Sequence, residues 1–171
     1  MLIDPMATHT IWSAITPQES HDILCKVQDE NKKLYRSAVE ILSKQMQKRV
    51  PVVLEMPKVE RHAIWQQILA HPMLENLSFN VLSSWLVQTQ TPLLCTWLDA
   101  LQIHHDPSGF FQADSLDAPS ADALKKAINT LLEKFPAKIV SIYLHVFNQI
   151  EGIEWSDLDA VLEGEPRLKL T

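Results

Sequence analysis

The sequence predicts an all-α fold: one domain spanning residues 1–171, built from about seven helices as an antiparallel bundle or a short stack of helical hairpins. Three observations predict it. Only three residues in 171 are glycine, too few for the tight turns of a β-rich fold. Apolar residues recur at helical spacing along most of the chain. Prolines stand where that spacing restarts, in the role of residues that open helices.

Thr16-Pro17-Gln18-Glu19 reads as a helix start, with Thr16 as N-cap, Pro17 where its missing N–H costs nothing and Glu19 placed for a capping box. Ile23, Leu24, Val27, Leu34, Ala38, Ile41, Leu42 and Met46 then keep to one stripe, giving a long N-terminal helix over 17–49. Unbroken, it would be about 48 Å long, more than a small domain can cover. It is therefore either an arm or broken near Gln28–Asn31, where the stripe is weakest. Val50-Pro51-Val52-Val53-Leu54 is β-branched and reads as an extended connector, the one strand-like piece.

A helical core follows over 57–164. Pro57 opens a helix to Ala70, Pro72 one to Val87, and Thr91-Pro92 one to Ile103. His104 to Asp117 is the longest loop, with Phe110 and Phe111 in it. Ser120 caps an amphipathic helix to Phe135, Pro136 opens the next through Ile150, and a last short helix follows Trp155 and ends at Gly164 as its C′ residue. The helix from Pro136 is apolar around nearly its whole circumference, so it should be the most buried, with His145 as a polar group needing a partner. The hairpins 73–103 and 120–150 are loosely alike, but two such units fall short of a solenoid.

The formal net charge is −6 and unevenly spread. Residues 26–61 hold nine Lys/Arg against five Asp/Glu, whereas 62–124 hold six acids and no Lys or Arg. An acidic chain with so sparse a basic run is not expected to bind nucleic acid. The opening Met-Leu-Ile-Asp-Pro carries no secretory signal, and no stretch has the roughly 20 apolar residues a bilayer span needs. A cytoplasmic protein without membrane association is the expectation. Cys25 and Cys95 lie in helical stretches and are expected to be reduced, buried and small.

Few residues offer chemistry. The isolated glycines cannot build a phosphate-cradling loop, and no Cys/His spacing fits a zinc site. His104-His105-Asp106 is the one tempting group, able in principle to ligate a metal with His71 or His145 from other helices. Its His-Asp pair resembles that of HD-type phosphohydrolases, which also need an upstream His and a downstream Asp; no position stands out for either. Adjacent histidines on a helix point apart, and His at a helix C-terminus suits the helix dipole. His21-Asp22 falls in the first turns of a helix, where Asp suits the dipole, and His62, beside Glu60 and Arg61, reads as surface. Accordingly no catalytic, cofactor-binding or metal-ligating residue is assigned. The reading is a non-enzymatic helical interaction or regulatory module with a protein partner, self-associating through its first helix if anywhere. The alternative is a helical enzyme or ligand-binding protein with a pocket near His104, His105 and Asp106. Trp12 and the Phe110–Phe111 pair could dock on the bundle or on a partner.

Overall fold

A computed structural model describes residues 6–170; Met1–Pro5, the stretch read as carrying no secretory signal, and Thr171 lie outside it. The described residues form ten α-helices and no strand, so the all-α reading holds. They are α1 (Thr8–Ala14), α2 (Pro17–Glu30), α3 (Lys32–Gln45), α4 (Val50–Glu55), α5 (Lys58–Leu69), α6 (Glu75–Thr89), α7 (Thr91–Ala100), α8 (Ala121–Lys134), α9 (Ala137–Phe147) and α10 (Ser156–Gly164). Short 3₁₀ turns stand at Pro72–Leu74, Ala113–Ser115 and Pro166–Leu168. No helix among the described residues is long and apolar enough to cross a membrane.

The three helices beyond the expected seven all come from the N-terminal third. The single helix over 17–49 does not exist. Asn31 breaks it, with φ −139° and ψ 71°; its N–H still bonds Val27 O at 2.8 Å, ending α2, while its side chain accepts from Leu34 N–H at 3.2 Å, starting α3. Asparagine competes with the helix backbone in this way because its short side chain reproduces a cap. The break also shifts the buried stripe of α3 to Tyr35, Ala38, Val39 and Leu42, leaving Ile41 exposed. With both stripes buried, the reason for expecting self-association through an over-long first helix disappears.

Val50–Glu55 is helical and not an extended connector. Pro51 sits in the first turn, where no N–H is required, and Val53 is fully buried, so packing overrides β-branched propensity. The N-terminal segment is helical too: α1 buries Ile11 and Trp12, so Trp12 docks on its own chain. Gln66 Nε2 donates to Trp12 O and Ile15 O, each at 2.9 Å, fixing the end of α1. At the other end, α9 stops at Phe147, short of Ile150. Gly164 is the last helical residue of α10, with Glu165 the C-cap at φ −99°, so no left-handed C′ glycine is used.

The chain's contacts group into two compact units that part after Trp85. The first, Ala7–Trp85, holds α1 to α5 and most of α6. Within it α2 packs on α3 and α5, around Leu24, Val27, Tyr35 and Trp65. The second runs from Leu86 onward and takes in Met6, whose carbonyl accepts from Gln149 Nε2 at 3.3 Å. Its centre is α9, where every residue from Val140 to Asn148 is buried, while α8 buries only the stripe Leu124, Ala127, Ile128 and Leu131. Phe147 stands in a ring cluster with Trp97, Phe111, Tyr143 and Trp155 at centroid distances of 5.3–6.0 Å. His145 finds its partner within α9, its Nδ1 lying 2.7 Å from Ser141 O. Burial lowers its pKa against the opposing pull of that carbonyl.

Candidate functional site

The group singled out in the sequence follows α7. His105 Nε2 meets Asp99 Oδ1 at 2.7 Å and its Nδ1 lies 2.6 Å from Asp106 O, so both ring nitrogens are engaged; the Asp99 carboxylate is the larger cause of its raised pKa. The Asp106 carboxylate accepts from Ser108 N–H (2.8 Å), Ser108 Oγ–H (2.6 Å) and Phe110 N–H (3.0 Å), a turn that holds its pKa down. Gly109 completes the turn at φ +85°, a conformation open to glycine, and a Cβ there would meet Leu94 Cβ at 3.1 Å. His104, His105, Asp106, Phe110, Phe111, Gln112 and Leu116 line a half-open hollow of about 420 Å³. His71, in the first unit, accepts from Met73 N–H at Nδ1 at 3.3 Å, and His145 Nδ1 lies 2.7 Å from Ser141 O.

A second constellation lies inside the first unit, on residues that sequence reasoning dismissed. His21 and Cys25 are four residues apart on α2, which sets them one above the other on the same face. That face meets α5, which contributes His62. His62 is not a surface residue: it is 1% exposed, and its neighbour Arg61 is 3% exposed. Both turn inward because α5 packs against α2 on the side that also buries Trp65 and Leu69. His21 Nδ1 and His62 Nδ1 are 2.9 Å apart, so one carries a proton and the other accepts it. Cys25 Sγ lies 3.5 Å from His21 Nε2 and 3.9 Å from each Nδ1. Among the described residues, these three are the one group of His, Cys, Asp or Glu whose ligand atoms all fall within 4.8 Å of one another.

Behind this triangle stands a polar relay. Tyr35 Oη is 2.9 Å from His62 Nε2 and accepts from Arg61 Nη2 at 3.0 Å. Arg61 Nη1 donates to Val53 O (3.4 Å) and Leu54 O (3.2 Å), and the guanidinium lies 5.4 Å from the Trp65 ring centroid. Burial is the main cause that pushes the His62 pKa down to about 3, with His21, Arg61 and Lys58 acting the same way. Burial likewise raises the Tyr35 hydroxyl and the Cys25 thiol, the latter against the pull of Lys58. At neutral pH the site therefore holds a neutral His62, a protonated thiol and a phenol.

Comparison with models of protein families, with curated proteins and with solved structures finds no match. The chemistry must be read from this chain's own residues. Attack by a cysteine needs its thiolate, and burial raises the Cys25 thiol. Two imidazole nitrogens and a sulfur gathered this closely are of the donor types that metal ions take. Cys25 and Cys95 are both free and half-buried.

Sequence reasoning missed this set for a definite reason. The i,i+4 spacing of His21 and Cys25 was a readable signal, but the third donor arrives from 37 residues further along the chain through tertiary packing alone.

Proposed function

We propose that the protein is a non-enzymatic helical interaction module, whose docking face is the α4–α5 corner and whose partner is an acidic, apolar-faced segment of another protein. The observation that supports this reading is exposure. Within eight consecutive residues Val52, Leu54 and Val59 stand 47%, 50% and 66% exposed. Fully burying such a side chain gains roughly 1.5–3 kcal/mol, so a partner that covers the corner has a local driving force. Exposed Lys48, Arg49 and Lys58 stand beside these residues in the sequence, and exposed Glu55 and Glu60 offset them only in part. Residues 26–61 hold nine of the fifteen Lys/Arg of a chain whose net charge is −6, which favours an acidic partner and steers its approach.

Zero-length carbodiimide cross-linking in cells that express the protein tests this, because it joins lysine amines only to carboxylates in direct contact. The expected result is cross-links from Lys48 or Lys58 to Asp- or Glu-bearing peptides of one partner, lost in the Leu54→Asp/Val59→Asp variant. Links between two copies of the chain would instead make the occupant a second copy. Equal cross-linking in wild type and variant would remove the docking face.

A second reading, a helical ligand-binding protein or enzyme using the loop after α7, is favoured by the hollow beside His104, His105 and Asp106. Its size falls within the range of small-molecule pockets. With His105 and Asp106 committed to their own turn, His104 and the aromatic walls are what remain for a ligand. Line broadening of the Phe110 and Phe111 ring signals by small aromatic acids, abolished in His104→Ala, would select this reading.

A further inference from the structure

We infer that His21, Cys25 and His62 form a binding site for a thiophilic transition-metal ion, with zinc(II) the best match to the donor set. The separations favour it. Zinc bonds of about 2.0–2.1 Å to nitrogen and about 2.3 Å to sulfur at tetrahedral angles put donor atoms about 3.3–3.6 Å apart. The triangle formed by His21 Nδ1, His62 Nδ1 and Cys25 Sγ has edges of 2.9, 3.9 and 3.9 Å, each within about half an ångström of that spacing. Two donors come from one helix face and the third from the helix packed on it, so a bound ion would pin α2 to α5.

The surroundings also suit a ligating histidine. A histidine that binds through Nδ1 carries its proton on Nε2 and needs an acceptor there. Tyr35 Oη occupies that position at 2.9 Å, itself fixed by Arg61. An imidazole ligates in its neutral form, and His62 presents Nδ1 toward both His21 and Cys25. On binding, the Cys25 S–H bond breaks, its proton leaves to solvent and its electron pair goes to the metal; the imidazole that held its proton on Nδ1 releases it and takes one up on Nε2, so that both Nδ1 lone pairs form metal–nitrogen bonds. Arg61 and Lys58 oppose a dication here, and the new thiolate, with Asp22 and Asp29 near Cys25, offsets them. Three protein donors leave a fourth position. His21 and Cys25 are only half-buried, so water can reach it.

Cobalt(II) tests the site, since it accepts zinc's ligands and reports them optically. Chelator-treated full-length protein is titrated with cobalt(II) and then with zinc(II). The expected result is one cobalt per chain, with tetrahedral d–d absorption and a thiolate-to-cobalt charge-transfer band, both erased by zinc. Cys25→Ser should abolish the charge-transfer band and, like His21→Gln, weaken zinc binding by about tenfold or more. Both positions are half-buried, and circular dichroism checks that the variants remain helical. No charge-transfer band in the wild type would overturn the inference, whatever the variants do. Equal zinc affinity in wild type and Cys25→Ser would overturn it as well.

Discussion

Truncating Phe147 to alanine removes the ring on which the second unit converges. The side chain is 1% exposed and meets four other rings: Trp155 at 5.3 Å and Trp97 at 5.7 Å edge-on, Phe111 stacked at 5.7 Å, and Tyr143 tilted at 6.0 Å. Phenylalanine-to-alanine changes in cores cost about 3–5 kcal/mol, from lost transfer energy and the cavity left behind. The upper half of that range is expected here. Four aromatic neighbours cannot all collapse into one void, and well-oriented ring pairs add about 0.5–1.5 kcal/mol beyond their area. Phe147→Leu separates the two causes: it nearly fills the space but removes the ring pairs, so it should lose about 1–2 kcal/mol. Urea unfolding followed by near-ultraviolet circular dichroism is the suitable assay, because Trp97 and Trp155 report this cluster directly. A loss below about 1 kcal/mol for Phe147→Ala would refute the reasoning, since such values belong to exposed sites. Equal losses for Ala and Leu would show that ring geometry, not filled volume, dominates.

Two further outcomes follow from buried polar groups. His62 and His145 both have lowered pKa values in the folded protein and ordinary ones near 6.5 when unfolded, so the unfolded chain binds more protons below about pH 6.5 and stability falls as acid is added. For His62, whose folded value is about 3, the loss between about pH 7.5 and about pH 5 should be about 2 kcal/mol; urea unfolding in the presence of chelator measures it, and equal stability at the two pH values would refute it. Asn148→Ala takes away the Oδ1 that accepts the Trp155 N–H at 2.7 Å, while the Trp155 carbonyl, which the Asn148 amide reaches at 3.1 Å, keeps the N–H groups of Leu158 and Asp159. The expected cost is about 1–3 kcal/mol, with faster hydrogen exchange at the Trp155 amide; an unchanged exchange rate would show that the amide does not depend on Asn148.

What was legible in the sequence was local chemistry. Thr16 and Glu19 form the capping box their spacing announces, with Glu19 N–H to Thr16 Oγ1 at 3.1 Å and Thr16 N–H to Glu19 Oε2 at 2.9 Å. Ser120 caps α8 as read, accepting from Ala123 N–H at 3.2 Å. The all-round apolar character of α9 translated directly into burial. Asn31 was half legible: the weak stretch was visible, but its double role as the end of one helix and cap of the next depends on backbone angles that no periodicity encodes. Val50–Leu54 misled because β-branched residues in a proline-bounded run have a local preference that the burial of Val53 outweighs. The His21–Cys25–His62 cluster was the least legible. Charged neighbours made His62 look wet, and only the packing of α5 on α2 turns it and Arg61 inward.

Arg61 links parts of the first unit that otherwise have little to do with each other. Its guanidinium is a rigid plane with one edge on the last carbonyls of the six-residue α4 and the other on the Tyr35 hydroxyl that meets His62. It is thus a strut between the histidine interior and the apolar corner at Val52 and Leu54. A movement of Tyr35 that accompanied a rearrangement of His62 would bear on this strut and, through it, on α4. Under the two proposals, an ion in the interior and a partner on the corner would act on the same guanidinium from its two edges. Any coupling between them would be reciprocal, each changing the other's affinity by an equal factor.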